Sequence, residues 1–116
     1  MAIQRIQVGP RMSQAVVHHG TVYLAGQVAL DNAGRPVADQ TREILDRIDA
    51  LLAVVGSGKD RLLSATIYLA DIAHFAEMNA VWDAWVDPAN TPARATVEAK
   101  LAAPQFTVEI SVVAAA

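Results

Sequence analysis

Residues 41–55 read TREILDRIDALLAVV, and this stretch decides the fold. Ile44, Leu45, Ile48, Leu51, Leu52 and Val55 recur at the 3.6-residue period and make one apolar stripe. Arg42, Glu43, Asp46, Arg47 and Asp49 fall off it, so the spacing predicts an amphipathic helix. Asp39 or Thr41 is expected to cap its start, and Gly56 with Gly58 to stop it. Just downstream the period changes to two. Leu63, Ala65, Ile67 and Leu69 alternate with Ser64, Thr66 and Tyr68, which is a strand over 62–69.

Working outward, residues 16–18 and 21–25 are apolar and β-branched, and they flank His19-Gly20, which reads as a tight hairpin turn. Gly26 interrupts that pattern, as a bulge or a close backbone approach would require. Residues 31–36 carry the turn formers of a loop. Past the central strand, Asp71 is expected to cap a second helix whose stripe includes Ile72, Phe75, Met78, Trp82 and Trp85. Pro88 and Pro92 hold the next loop extended. Two more strands are expected near 95–99 and 106–113. The order is ββ(β)αβαββ, an α+β domain over 1–116 with two helices on one face of a mixed sheet.

Composition narrows the function. Of 116 residues, 53% are hydrophobic and 18% charged, and the mean hydropathy is +0.28, the opposite of a disordered chain. The absence of Cys excludes disulfides, thiolate metal sites and a cysteine nucleophile. Net charge is −3 and the pI about 5.4, with no basic block, so nucleic acid is not an expected partner. No apolar run reaches the roughly 20 residues that span a membrane. Residues 1–10 lack the apolar core of a secretory signal, and a cytoplasmic location is expected. So much apolar surface on so short a chain points to homo-oligomerisation.

Familiar motifs fail on context. Gly56-Ser57-Gly58-Lys59 lacks the opening Gly and closing Ser/Thr of a phosphate loop and follows a helix rather than a strand. His18 and His19 are adjacent on a strand, should point to opposite faces and so could not share a metal; His74 is distant, and no metal site is expected. Trp82 and Trp85 read as core packing. Two charged residues stand out. Arg94 starts a strand just past the proline loop, where its fork-shaped guanidinium could grip a carboxylate bidentately. Glu109 lies on the face of its strand opposite Val108, Ile110 and Val112, and could orient water or exchange a proton. The bland alternative is a surface carboxylate, or an Arg94–Glu109 pair across neighbouring strands.

Val22-Tyr23-Leu24-Ala25-Gly26-Gln27 resembles the "hxxSGQ" segment of the RidA/YjgF family of reactive-intermediate deaminases, also called L-PSP endoribonuclease-like proteins. Asp71-Ile72-Ala73-His74-Phe75-Ala76-Glu77-Met78-Asn79 is similar to its "DxxxFaxxN" helix opening, and Thr91-Pro92-Ala93-Arg94-Ala95-Thr96-Val97-Glu98 to its "PARxxVE" signature. Val108-Glu109-Ile110 resembles the closing "VEI". The resemblance implies a chorismate-mutase-like fold and a homotrimer around a central β-barrel, with ligand sites between subunits. It also implies cofactor-independent hydrolysis of 2-imino and 2-enamino acids to 2-oxo acids and ammonia. Arg94 would be the carboxylate clamp, Glu109 the residue for water and protons, and Gly26 the close-approach glycine of the same cleft.

Met12, Ala25 and Thr96 line that implied cleft and depart from the family pattern, which has Tyr, Ser or Thr, and often Cys at these positions. Ser111 replaces a second acidic residue. The lost hydroxyls make a second reading concrete: a non-catalytic trimer in which Arg94 holds a small carboxylate metabolite. A ribonuclease and a holdase-type chaperone are the remaining readings; the acidic pI and the lack of a basic stripe weigh against the ribonuclease.

Overall fold

The stripe at 44–55 becomes the buried side of helix α1 (Val37–Val54), with Ile44, Leu45, Ile48 and Leu52 sealed from solvent. The computed structural model, which describes residues 2–116, lays this helix and α2 (Phe75–Trp85) on one face of a six-stranded sheet. Its strands are β1 (Gln4–Val8), β2 (Ser13–His18), β3 (Thr21–Leu24), β4 (Leu62–Leu69), β5 (Ala93–Glu98) and β6 (Val108–Ala115). They lie in the order β1-β2-β3-β6-β4-β5, antiparallel except for β4 and β5. Those two are parallel because α2 carries the chain back across the sheet between them.

Alternation decides the faces. Val108, Ile110, Val112 and Ala114 of β6, with Ala65, Ile67 and Leu69 of β4, are buried under the helices. Glu109, Ser111 and Val113 lie on the other face, as the alternation predicts. The hairpin turn at His19-Gly20 has φ of 50° and 75°, the doubly left-handed pattern of a type I′ turn. β1 is mostly exposed, with only Ile6 half-buried, and its short alternation at Ile6-Gln7-Val8 is a weak strand signal.

Neither Asp39 nor Thr41 caps α1. The helix begins after Pro36, and the Thr41 hydroxyl donates back to the Val37 carbonyl at 2.7 Å. The Ala38 N–H instead donates to the Glu77 carboxylate of α2 at 3.2 Å, which puts negative charge at the positive end of the helix. At the far end, Gly56 at φ 75° donates to Ala53, and the Ser57 N–H to Leu52 at 2.8 Å, a complete Schellman stop. Asp71 caps a 3-10 turn (Ile72–His74), accepting from the Ala73 N–H at 2.9 Å, rather than α2 itself. That turn winds more tightly than an α-helix, so Ile72 leaves the expected stripe. Ile72 and Phe75 are 46% and 41% exposed, while Met78 and Trp82 are buried as expected.

Two buried or half-buried polar side chains of α1 fix the loops that lead into the site strands. Gln40 is fully buried; its amide donates to the carbonyls of Arg35 and Gln105, and its oxygen accepts from the Thr107 N–H at 3.0 Å. It thereby sets the entry into β6. Gln40→Leu should cost about 2 kcal/mol in urea unfolding, because the Arg35 carbonyl and the Thr107 N–H lose the partner that Gln40 supplies, while the Gln105 carbonyl keeps the Gly34 N–H. Glu43 does the same for the loop after Gly26, accepting from the backbones of Asp31 and Asn32, the Asn32 amide and Arg47. Burial acts to raise its carboxyl pKa, but these hydrogen bonds outweigh it and hold the pKa below the usual value.

Candidate functional site

Arg94 is the second residue of β5, an edge strand of the sheet. It stands in register with Ala65, which places its side chain on the helix-bearing face. There the half-buried guanidinium lies 5.3 Å from the Trp82 ring centroid and 5.9 Å from that of Phe75. The two rings form a platform that holds a cation by their electron-rich faces. Among the described residues Arg94 has no ion-pair partner. Thr96, two residues along the same face, has a buried hydroxyl with no hydrogen bond. Asn79 is four residues after Phe75 and three before Trp82, so it shares their stripe, and its side-chain oxygen is also buried and unpartnered. Sequence reading places Asn79 only within a motif; its helical spacing from the two rings was the signal that it shares their stripe.

Glu109 belongs to a second cluster. It faces away from the helices, opposite Tyr68 of β4, and its carboxylate packs against the backbone of Gly26. A side chain at Gly26 would overlap the carboxylate oxygen and meet the carboxyl carbon at 3.0 Å, which is the close approach that the glycine permits. The segment is stitched in place on both sides. Gln27 exchanges backbone hydrogen bonds with Ile110 at 2.8 and 3.1 Å, and its side chain donates to Gln14 and to the Ala25 carbonyl. Gln27 is thus a positioning residue for the Glu109 strand.

Within one chain the two clusters do not meet. β4 lies between β5 and β6, so Arg94 and Glu109 are two strands apart, roughly 10 Å, and on opposite faces. The expected alternative of an Arg94–Glu109 pair across neighbouring strands is therefore wrong; strand order rules it out. The expected separation of His18 and His19 fails too. Their ring centroids are 3.9 Å apart, because His19 sits in the turn at φ 50°, where strand alternation no longer applies. Among the described residues no group of three His, Asp or Glu side chains gathers as a metal site would need. Gly56-Ser57-Gly58-Lys59 is spent on structure: Ser57 donates to the Ala115 carbonyl and Lys59 lies over the Trp85 ring.

Comparison with known proteins shows the family. The family described as Endoribonuclease L-PSP matches residues 2–116. A RutC family protein of Haemophilus influenzae is 46% identical, with 98% of each chain covered. This chain belongs to the RidA/YjgF family. The RutC family protein YoaB of Escherichia coli is 44% identical, with 99% of each chain covered. A solved member of the YjgF family from Neisseria meningitidis superposes with a TM-score of 0.95 at 46% identity, covering 99% of this chain and 95% of that one.

In this RidA/YjgF protein the side chains of Met12 and Ala25, near Gly26, carry no hydroxyl. Met12, 47% exposed, and Gly26 line a pocket of about 460 Å3 with Gln14, Leu30, Arg47 and Val54. Ala25, half-buried beside Gly26, donates its N–H to Gln14 and offers no side-chain polar group. No helix of the described chain is long and apolar enough to cross a membrane.

Proposed function

We propose that this RidA/YjgF protein is a cytoplasmic homotrimer that hydrolyses 2-imino and 2-enamino acids to 2-oxo acids and ammonia, without a cofactor, in clefts between subunits. The observation that carries the reading is the guanidinium of Arg94, held on an aromatic platform with no anion to neutralise it. A half-buried, unpaired fork of donors is a site for a carboxylate. Glu109 faces the other way, so a site using both residues takes Arg94 from one subunit and Glu109, with Gly26, from the next. The helix-free face supports assembly, with Tyr23 exposed between Val16 and Val113 and Val97 exposed on the edge strand β5. Its burial against other copies would form the central barrel.

In such a cleft Arg94 fixes the substrate carboxylate, which orients the adjacent C=N carbon. Glu109 takes a proton from water as the water oxygen bonds to that carbon and the C=N double bond opens, and it passes that proton to the nitrogen. The tetrahedral adduct then collapses: Glu109 relays the hydroxyl proton to the amino nitrogen, the C–N bond breaks, ammonia leaves, and C=O forms. Oxidation state is unchanged throughout, so the reaction needs no redox partner. Thr96 and the backbone at Ala25 and Gly26 are the nearest further contacts, and Met12 shapes the wall.

A second reading is a trimer that binds a small carboxylate without turning it over. Ala25 and Met12 favour it, since hydrogen bonds that would orient water are absent at both positions. The test is ammonia release while an amino-acid oxidase generates 2-imino acids in situ. Acceleration by the wild-type protein but not by Arg94→Ala supports deamination. No acceleration with any imine, from a protein that still binds 2-oxo acids, supports the binding role. A ribonuclease or chaperone role draws no support from the residues around Arg94 and Glu109.

A further inference from the structure

Tyr68 of β4 stands directly opposite Glu109 of β6, in an antiparallel register unbroken from Ser64 to Leu69. Side chains paired in this way share a face, with their β-carbons about 4.5–5.5 Å apart. That face is the helix-free one, because Ile67 and Leu69 flank Tyr68, Val108 and Ile110 flank Glu109, and all four are buried under the helices. Gly26 lies on the other flank of Glu109, and its missing side chain lets the carboxylate lean that way. A tyrosine also reaches farther from its strand than a glutamate, so phenol and carboxylate stand apart by a gap that suits one water. Neither group hydrogen-bonds another described side chain, and neither residue is sealed from solvent. The next pair along these strands is Thr66 with Ser111, and Val97 lies beyond Tyr68 on β5. Glu109 is therefore the sole charged side chain on the helix-free face of β3 to β6, and Tyr68 is the hydroxyl paired with it.

We infer that Tyr68 is a further catalytic residue of the proposed deamination, its hydroxyl holding the attacking water jointly with the Glu109 carboxylate. The inference rests on Glu109 as the residue that takes the proton, and adds the group that aims the water. A carboxylate alone binds one O–H of a water and leaves the molecule free to turn about that hydrogen bond. The phenol oxygen accepts from the second O–H, which fixes the rotation and points a lone pair at the imine carbon. The first proton goes to Glu109 as the C–O bond forms, and the second stays on the adduct as its hydroxyl. Tyr68 neither gains nor loses a proton; it orients.

Tyr68→Phe keeps the ring and removes only the hydroxyl. Ammonia release, with an amino-acid oxidase supplying 2-imino acids, is expected to show kcat lowered about tenfold and KM unchanged. Thermal unfolding and light scattering should match wild type. The deciding comparison uses Glu109→Asp, which keeps a base on a shorter arm and so moves it away from the shared water. In that background Tyr68→Phe should cost less than about threefold, because two groups acting on one water are not additive. A structural effect would cost the same tenfold in both backgrounds, and that result overturns the inference. Wild-type kcat in Tyr68→Phe overturns it too, as does a loss confined to KM, which would make the phenol a ligand contact. If the wild type speeds ammonia release from no imine, the deamination reading fails and takes this inference with it. That failure shows in the wild-type protein alone, before any Tyr68 variant is compared.

Discussion

Arg94→Ala is expected to abolish binding of 2-oxo and 2-imino acids while the protein stays folded and assembled. Hydrogen bonds to a charged group contribute about 1.5–3 kcal/mol each, so losing a bidentate pair should weaken binding by at least roughly 100-fold. Folding should survive because Arg94 makes no ion pair among the described residues and lies half-exposed on an edge strand. Its removal uncovers part of Trp82 and leaves no buried charge behind. Arg94→Lys keeps the charge but not the planar fork, and should recover only part of the affinity. Calorimetric titration with light scattering on the same samples reads both quantities. Undiminished binding by Arg94→Ala would move the carboxylate site elsewhere.

Glu109→Gln should slow turnover by about 10²–10⁴-fold, the usual contribution of a positioned general base, and change ligand affinity little. Gln has the same shape, so the packing against Gly26 is kept, but it cannot accept a proton from water. The carboxylate has no hydrogen-bond partner among the described side chains, so the exchange breaks no structural contact. Steady-state ammonia release separates kcat from KM. A loss confined to KM would show that Glu109 holds the ligand and does not move protons.

Where chemistry is written locally, the sequence was readable. The 3.6-residue stripe of α1, the alternation of β4, the I′ turn at His19-Gly20 and the outward face of Glu109 all follow from spacing along a few residues. The close approach at Gly26 was legible as well, though its partner, the Glu109 carboxylate, was not. What failed depends on distant parts of the chain. The cap of α1 comes from Glu77, brought in by helix packing. The relation of Arg94 to Glu109 depends on β4 lying between their strands, which no local pattern encodes. Ile72 was misplaced because it belongs to a 3-10 turn that lies outside the phase of the helix. The motif residues themselves were found; which face each occupies required the strand order.

The opposite-face placement of Arg94 and Glu109 also bears on mixtures of defective chains. In the proposed ring of three, each cleft would borrow its guanidinium from one chain and its carboxylate from the next. Unfold and reassemble Arg94→Ala chains together with Glu109→Gln chains, and every hybrid ring, whatever its composition, keeps one cleft free of both defects. Random reassembly at equal amounts would then restore roughly a quarter of wild-type activity from two dead proteins. A site built within a single chain would restore none.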